Sequence, residues 1–169
     1  MKLRSIFASF LITAALPLLA QPLDGRGGRF EDDLISDMEG HWLVTRQIRG
    51  TTVQNELIAS WTLAHQFLQV HMKDTQVPAR YEALVLIGYV YSSQEYVAHW
   101  TDSFGAKFSA VGRGKRLGNT VEFRFEYPDG PFFNTFTWDP VAKTWQLRME
   151  SHAVDGKRAL FAIDTLRRQ

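Results

Sequence analysis

The sequence predicts an all-β protein, an up-and-down antiparallel β-barrel of about ten strands with a short N-terminal helix. Ten short apolar stretches run from His41 to Arg168, separated by turn signals a few residues long. The clearest alternate with period two. Val121, Phe123, Phe125 and Tyr127 interleave with Glu122, Arg124 and Glu126, and Trp145, Leu147 and Met149 with Gln146, Arg148 and Glu150. That is the pattern of a strand with one buried face. The connections are too short for the crossover helices that parallel pairing requires. A flat sheet of ten strands would expose two edges, and closure removes them while enclosing an interior. The two-sheet sandwich, the competing all-β architecture, needs long Greek-key connections that are missing here.

Along the chain, Lys2 and Arg4 precede an uncharged run from Ser5 to Ala20. This reads as a secretory signal peptide over residues 1–20, too short to span roughly 30 Å of hydrocarbon. Its presence places the mature protein in the periplasm or outside the cell. No second apolar run of spanning length follows, so no membrane span is expected after signal cleavage. Residues 21–29, with Pro22, Gly25, Gly27 and Gly28, have linker composition. Phe30, Leu34 and Met38 then recur every four residues behind the acidic Glu31, Asp32 and Asp33, which predicts a short amphipathic helix ended by Gly40. In a barrel such a helix plugs one end. The barrel domain occupies 41–169, after a 21–40 linker and helix. Trp42, Val44 and Ile48 share a face of its first strand, with Arg46 the odd member. Turns are expected at Ser92-Ser93, Leu117-Gly118-Asn119, Pro128-Asp129-Gly130-Pro131, Asp139-Pro140 and Asp155-Gly156.

Composition excludes several function classes. Without residues 1–20 the chain keeps 17 basic against 18 acidic side chains, a formal charge of −1, which gives no electrostatic basis for binding nucleic acid or an anionic membrane. With no cysteine there are no disulfides, thiolate nucleophiles or zinc-thiolate sites. No Gly-x-Ser-x-Gly elbow, His-Glu-x-x-His or phosphate-binding glycine loop occurs.

Gly40-His41-Trp42 at the head of the first strand is similar to the Gly-x-Trp signature of lipocalins. Ile87-Gly88-Tyr89, followed by Tyr96-Val97-Ala98-His99-Trp100-Thr101-Asp102-Ser103-Phe104-Gly105, resembles the Gly-Tyr … Trp-x-Asp-Ser-x-Gly stretch of an uncharacterised bacterial domain-of-unknown-function family in the calycin, or lipocalin-like, superfamily. The resemblance covers roughly residues 34–168. It implies a barrel of about ten strands and no established activity. It also implies that Trp42 closes the base and that a C-terminal arginine, Arg167 or Arg168, stacks on it. Haem, bound by the nitrobindin-like relatives, is disfavoured, because Thr45, Gln47 and Arg49 stand where further glycines would be wanted. No cofactor is expected.

Of the five histidines, His41 and His65 fall at strand ends, while His71, His99 and His152 lie within strands. His152 shares the polar face of Gln146, Arg148 and Glu150. No pair has close metal-ligand spacing, and no metal site is expected. His99, Asp102 and Ser103 are near in sequence, but three residues along a strand point to opposite faces. Asp102-Ser103 with Gly105 reads as a turn instead. Arg46 either holds a ligand carboxylate or phosphate or pairs with an internal acid.

The 22 aromatic residues suit the wall of a small-molecule pocket, and a ten-stranded barrel is wider than the eight or so strands that side chains fill. The leading expectation is therefore an exported barrel that binds a small, mostly apolar or lipid-like molecule. Arg46, Trp61, Phe67, Tyr89, His99, Trp100, Phe123 and Trp138 are its candidate wall residues. No catalytic residue is assigned. One alternative is a calycin-type enzyme acting on a bound molecule, dependent on His99. Another is an interaction module that docks a protein through an outer aromatic face of Phe132, Phe136 and Trp138.

Overall fold

A computed structural model describes residues 28–152 and 155–169. The expected signal peptide and linker residues 21–27 lie outside that range. Ten strands follow one another: β1 (Gly40–Ile48), β2 (Thr51–Thr62), β3 (Phe67–Asp74), β4 (Glu82–Val90), β5 (Glu95–Asp102), β6 (Ala110–Leu117), β7 (Thr120–Tyr127), β8 (Gly130–Asp139), β9 (Thr144–His152) and β10 (Arg158–Arg168). Each pairs antiparallel with its neighbour in sequence. β1 meets β10 through Trp42 opposite Arg168, Val44 opposite Leu166 and Arg46 opposite Asp164, which closes the barrel. The pairing of β9 with β10 shifts by one residue between Leu160 and Ala162, a bulge at Phe161.

The expected amphipathic helix is a single turn, α1 (Asp33–Ser36). The Asp32 carboxylate caps it by accepting from the Ile35 N–H at 2.8 Å. Its Leu34 and Ile35 are buried, and with Phe30 before it and Met38 just past it they stopper one end of the barrel. This end is the base, where the Phe30 ring lies 5.6–6.1 Å from those of Trp61, Tyr89 and Tyr96. Trp42 donates its Nε1–H to the Met38 carbonyl at 2.8 Å. The Arg168 guanidinium lies 4.4 Å above the Trp42 ring and donates to the carbonyls of Glu39 and Asp37. Arg167, one residue earlier, faces solvent. Tyr96 donates to Asp32 at 2.5 Å, and Arg116 pairs with Asp33.

Aromatic bulk fills the barrel. Trp42, Trp145, Phe123 and Phe125 are wholly buried, with Trp100, Phe136 and Trp138 close behind. Space for them comes from small partners. A side-chain carbon on Gly112 would sit 2.6 Å from the Phe125 ring, so the glycine on β6 makes room for the phenylalanine on β7. The width expected to leave a ligand-sized hollow is taken up this way. The void among Leu57, Val70, Met72, Val85, Ile87, Trp100, Phe136 and Leu147 measures about 10 Å³, the size of one water.

Candidate mouth site

The end opposite α1 is the mouth, formed by the C-termini of the odd-numbered strands and the N-termini of the even-numbered ones. All five buried polar or charged residues among those described, Arg46, Asn55, Asp74, Asn134 and Asp164, lie between the barrel's middle and this end. Arg46 is fully committed. It donates Nε–H and Nη2–H to the two Asp164 oxygens, each at 2.7 Å, and lies 5.0 Å over the Tyr81 ring. Burial lifts the Asp164 carboxyl above its ordinary range even though Arg46 pulls it down, and burial likewise pushes the Tyr81 hydroxyl up to about 12. Of the two roles open to Arg46 in the sequence, the structure gives it the internal acid.

Asp74 is spent on the loop behind it, accepting from the N–H groups of Gln76 and Arg80. Asn55 and Asn134 differ. Their side chains are 1% and 3% exposed, yet neither Asn55 amide atom nor Asn134 Oδ1 has a partner among the described residues. Each faces inward, two residues from a wall position of the small void, Leu57 for Asn55 and Phe136 for Asn134. A buried unpaired amide costs about 1–3 kcal/mol.

Above this polar layer runs a rim of rings. Tyr81 meets Phe104 at 5.6 Å and Phe104 meets Phe108 at 6.2 Å. Tyr127 donates to the Phe108 carbonyl, and Phe132 stands between Tyr127 and Phe161. Apolar walls with a few convergent polar groups at a barrel mouth are what small-molecule sites are made of.

The candidate wall residues separate by strand parity. Arg46, Trp61, Tyr89, Trp100, Phe123 and Trp138 face inward, with Trp61, Tyr89 and Trp138 at the plugged base rather than the mouth. Phe67 and His99 face outward, 6.1 Å apart, because their inward neighbours are Leu68 and Trp100. Phe67 covers Gly88 on the outer surface. The supposed outer aromatic face is internal: Phe136 and Trp138 are buried, and Phe132 belongs to the mouth rim. His99, Asp102 and Ser103 do not converge. His99 is exposed, Asp102 accepts from the Phe104 N–H, and Ser103 Oγ accepts from the Glu82 N–H.

The sequence reading missed Asn55, Asn134, Tyr81 and Asp164. Asn55 and Asn134 were legible as polar residues at apolar-phase positions of β2 and β8. A second feature it missed is an open groove of about 490 Å³ outside β3–β5. There His71 meets Glu82 at 2.6 Å, and this bond, helped by Lys73, holds the Glu82 carboxyl below its ordinary range. Among the described residues, Glu82 is the side chain hydrogen-bonded to His71.

No protein-family profile matches the chain, and no curated protein does. Solved structures do. The crystal structure of Rv2717c from M. tuberculosis superposes with a TM-score of 0.57 at 12% identity, over 80% of this chain and 94% of that one. A redesigned β-barrel, b11L5F_LGL, aligns over 80% of this chain and 95% of its own at 16% identity and a TM-score of 0.34. The first likeness establishes the barrel fold and nothing finer. Among the described residues no helix is long and apolar enough to cross a membrane.

Proposed function

We propose that this is an exported, lipocalin-like barrel of the calycin type that binds a small, mostly apolar, uncharged molecule through its mouth. The unpartnered Asn55 amide carries this reading, with Asn134 in support. A ligand group that both donates and accepts would satisfy Asn55 and remove its desolvation cost. The rim from Tyr81 to Phe161 would cover the apolar body. The commitment of Arg46 to Asp164 speaks against a carboxylate ligand, since among the described residues no other buried cation is left to meet it. Export rests on the N-terminal sequence, and calycin kinship on the Gly-x-Trp and Trp-x-Asp-Ser-x-Gly resemblances.

Native mass spectrometry of the mature protein, purified gently from the exported fraction of its own host, tests the proposal. A stoichiometric non-covalent mass that disappears on denaturation, and is missing from Asn55→Leu, is the expected result. A ligand retained equally by Asn55→Leu, or a bare polypeptide in repeated detergent-free preparations, would overturn it.

A further inference from the structure

We propose that the mouth also docks on an anionic lipid surface, through the turn 49–50 and the loops 75–81 and 103–109, which stand side by side on its rim. Val77, Phe104 and Phe108 on these loops are 97%, 64% and 44% exposed. Each of the three connections also carries one exposed basic residue, Arg49, Arg80 or Lys107, and none contains Asp or Glu. Among the described residues these three cations make no ion pair. Arg49 and Lys107 instead lie 5.6 Å from the rings of Phe161 and Phe108.

Exposed rings beside unpaired cations suit the lipid interface, where apolar groups enter the acyl boundary and basic ones meet anionic headgroups. The display is held in place. Phe104 N–H bonds Asp102, Phe108 N–H bonds the Gly105 carbonyl, the Phe108 carbonyl accepts from Tyr127, and Phe104 leans on Tyr81. Little ordering is left to be done on docking.

Residues 28–39, which stopper the base, carry Glu31, Asp32, Asp33, Asp37 and Glu39 against Arg29 alone. Those acids are met in part by Arg29 and Arg116, so it is the unpaired cations of the mouth loops that an anionic surface would attract. Phe104 and Phe108 belong to both readings, whereas Arg80 and Lys107 serve only the lipid surface, so the charge variants and the salt dependence separate the two.

Co-sedimentation with vesicles of phosphatidylglycerol mixed into phosphatidylcholine, against phosphatidylcholine alone, tests it. The protein should pellet with the anionic vesicles and be released by salt. Arg80→Gln and Lys107→Gln should each weaken binding about fivefold. Phe104→Ala and Phe108→Ala should each weaken it about tenfold. Leu117→Ser, an exposed apolar residue at the base, should change nothing. Protein that stays in the supernatant, pellets equally with both vesicles, or is as sensitive to Leu117→Ser as to the mouth variants would overturn the proposal. Unchanged far-ultraviolet circular dichroism shows that each variant is folded.

Discussion

The two ends of this barrel are built by different rules. At the base, most polar groups find partners: Tyr96 and Arg116 meet the acids of α1, Trp42 meets Met38, and Arg168 is spent on two carbonyls and a ring, with the buried Trp145 indole N–H the exception among the described residues. Toward the mouth, amide atoms are buried without partners and aromatic rings are left in solvent. An end optimised for stability satisfies its groups internally, whereas one that meets a ligand or a surface carries a local cost. The proposed ligand and surface readings both rest on this contrast.

The largest test of that division is Trp42→Ala. Removing a wholly buried ring together with its hydrogen bond should destabilise by about 3–5 kcal/mol in urea unfolding. A loss below about 1 kcal/mol would mean that the base is not where stability is concentrated. Next in size, and of opposite sign, is Asn55→Leu. An apolar side chain of similar volume should raise stability by about 1–3 kcal/mol while ligand is lost. Destabilisation would show that the amide is structural, and the contrast between the ends would fail.

Arg168→Ala removes the cation over Trp42 and should cost about 0.5–2 kcal/mol, with Arg167→Ala close to neutral as an exposed control. Equal effects would place the clasp elsewhere.

The smallest effect, and the sharpest in sign, is in titration. The Arg116 hydrogen bond holds Asp33 at about 2 against an ordinary 3.8. Its stabilisation is complete above about pH 4 and is lost as the pH falls towards 2. Asp164 runs the other way. Burial raises its carboxyl, the folded state favours the protonated form, and stability falls as the pH rises through the window above 3.8. Carboxyl carbon NMR should resolve one aspartate below and one above the ordinary range. Two ordinary titrations would erase this difference between base and mouth.

Much of this was legible in the chain. The alternation of Val121 to Tyr127 and of Trp145 to Met149, with the turn residues between strands, contains the ten-stranded barrel, because period and turn chemistry are local. The one-turn length of α1 was less legible: four-residue spacing of Phe30, Leu34 and Met38 needs only one turn when Phe30 and Met38 can be buried from either side of it. The unpaired Arg49, Arg80 and Lys107 of the mouth loops were hidden by summation, since a charge near zero does not say which cations lack an acidic neighbour.

What the sequence by itself determined, then, is strand content, turn positions and the inward place of Trp42. Only the tertiary structure decided the partners. Period two divides a strand into two faces but does not say which is inside when both carry large apolar side chains, as with Phe67 against Leu68 or Phe132 against Phe133. That choice is made by cross-strand register carried around the closed barrel. Closure likewise joins Arg46 to Asp164 across 118 residues and leaves Asn55 and Asn134 unpaired within an apolar wall. These outcomes depend on groups far apart in the chain, and local patterning holds no record of which of them will meet.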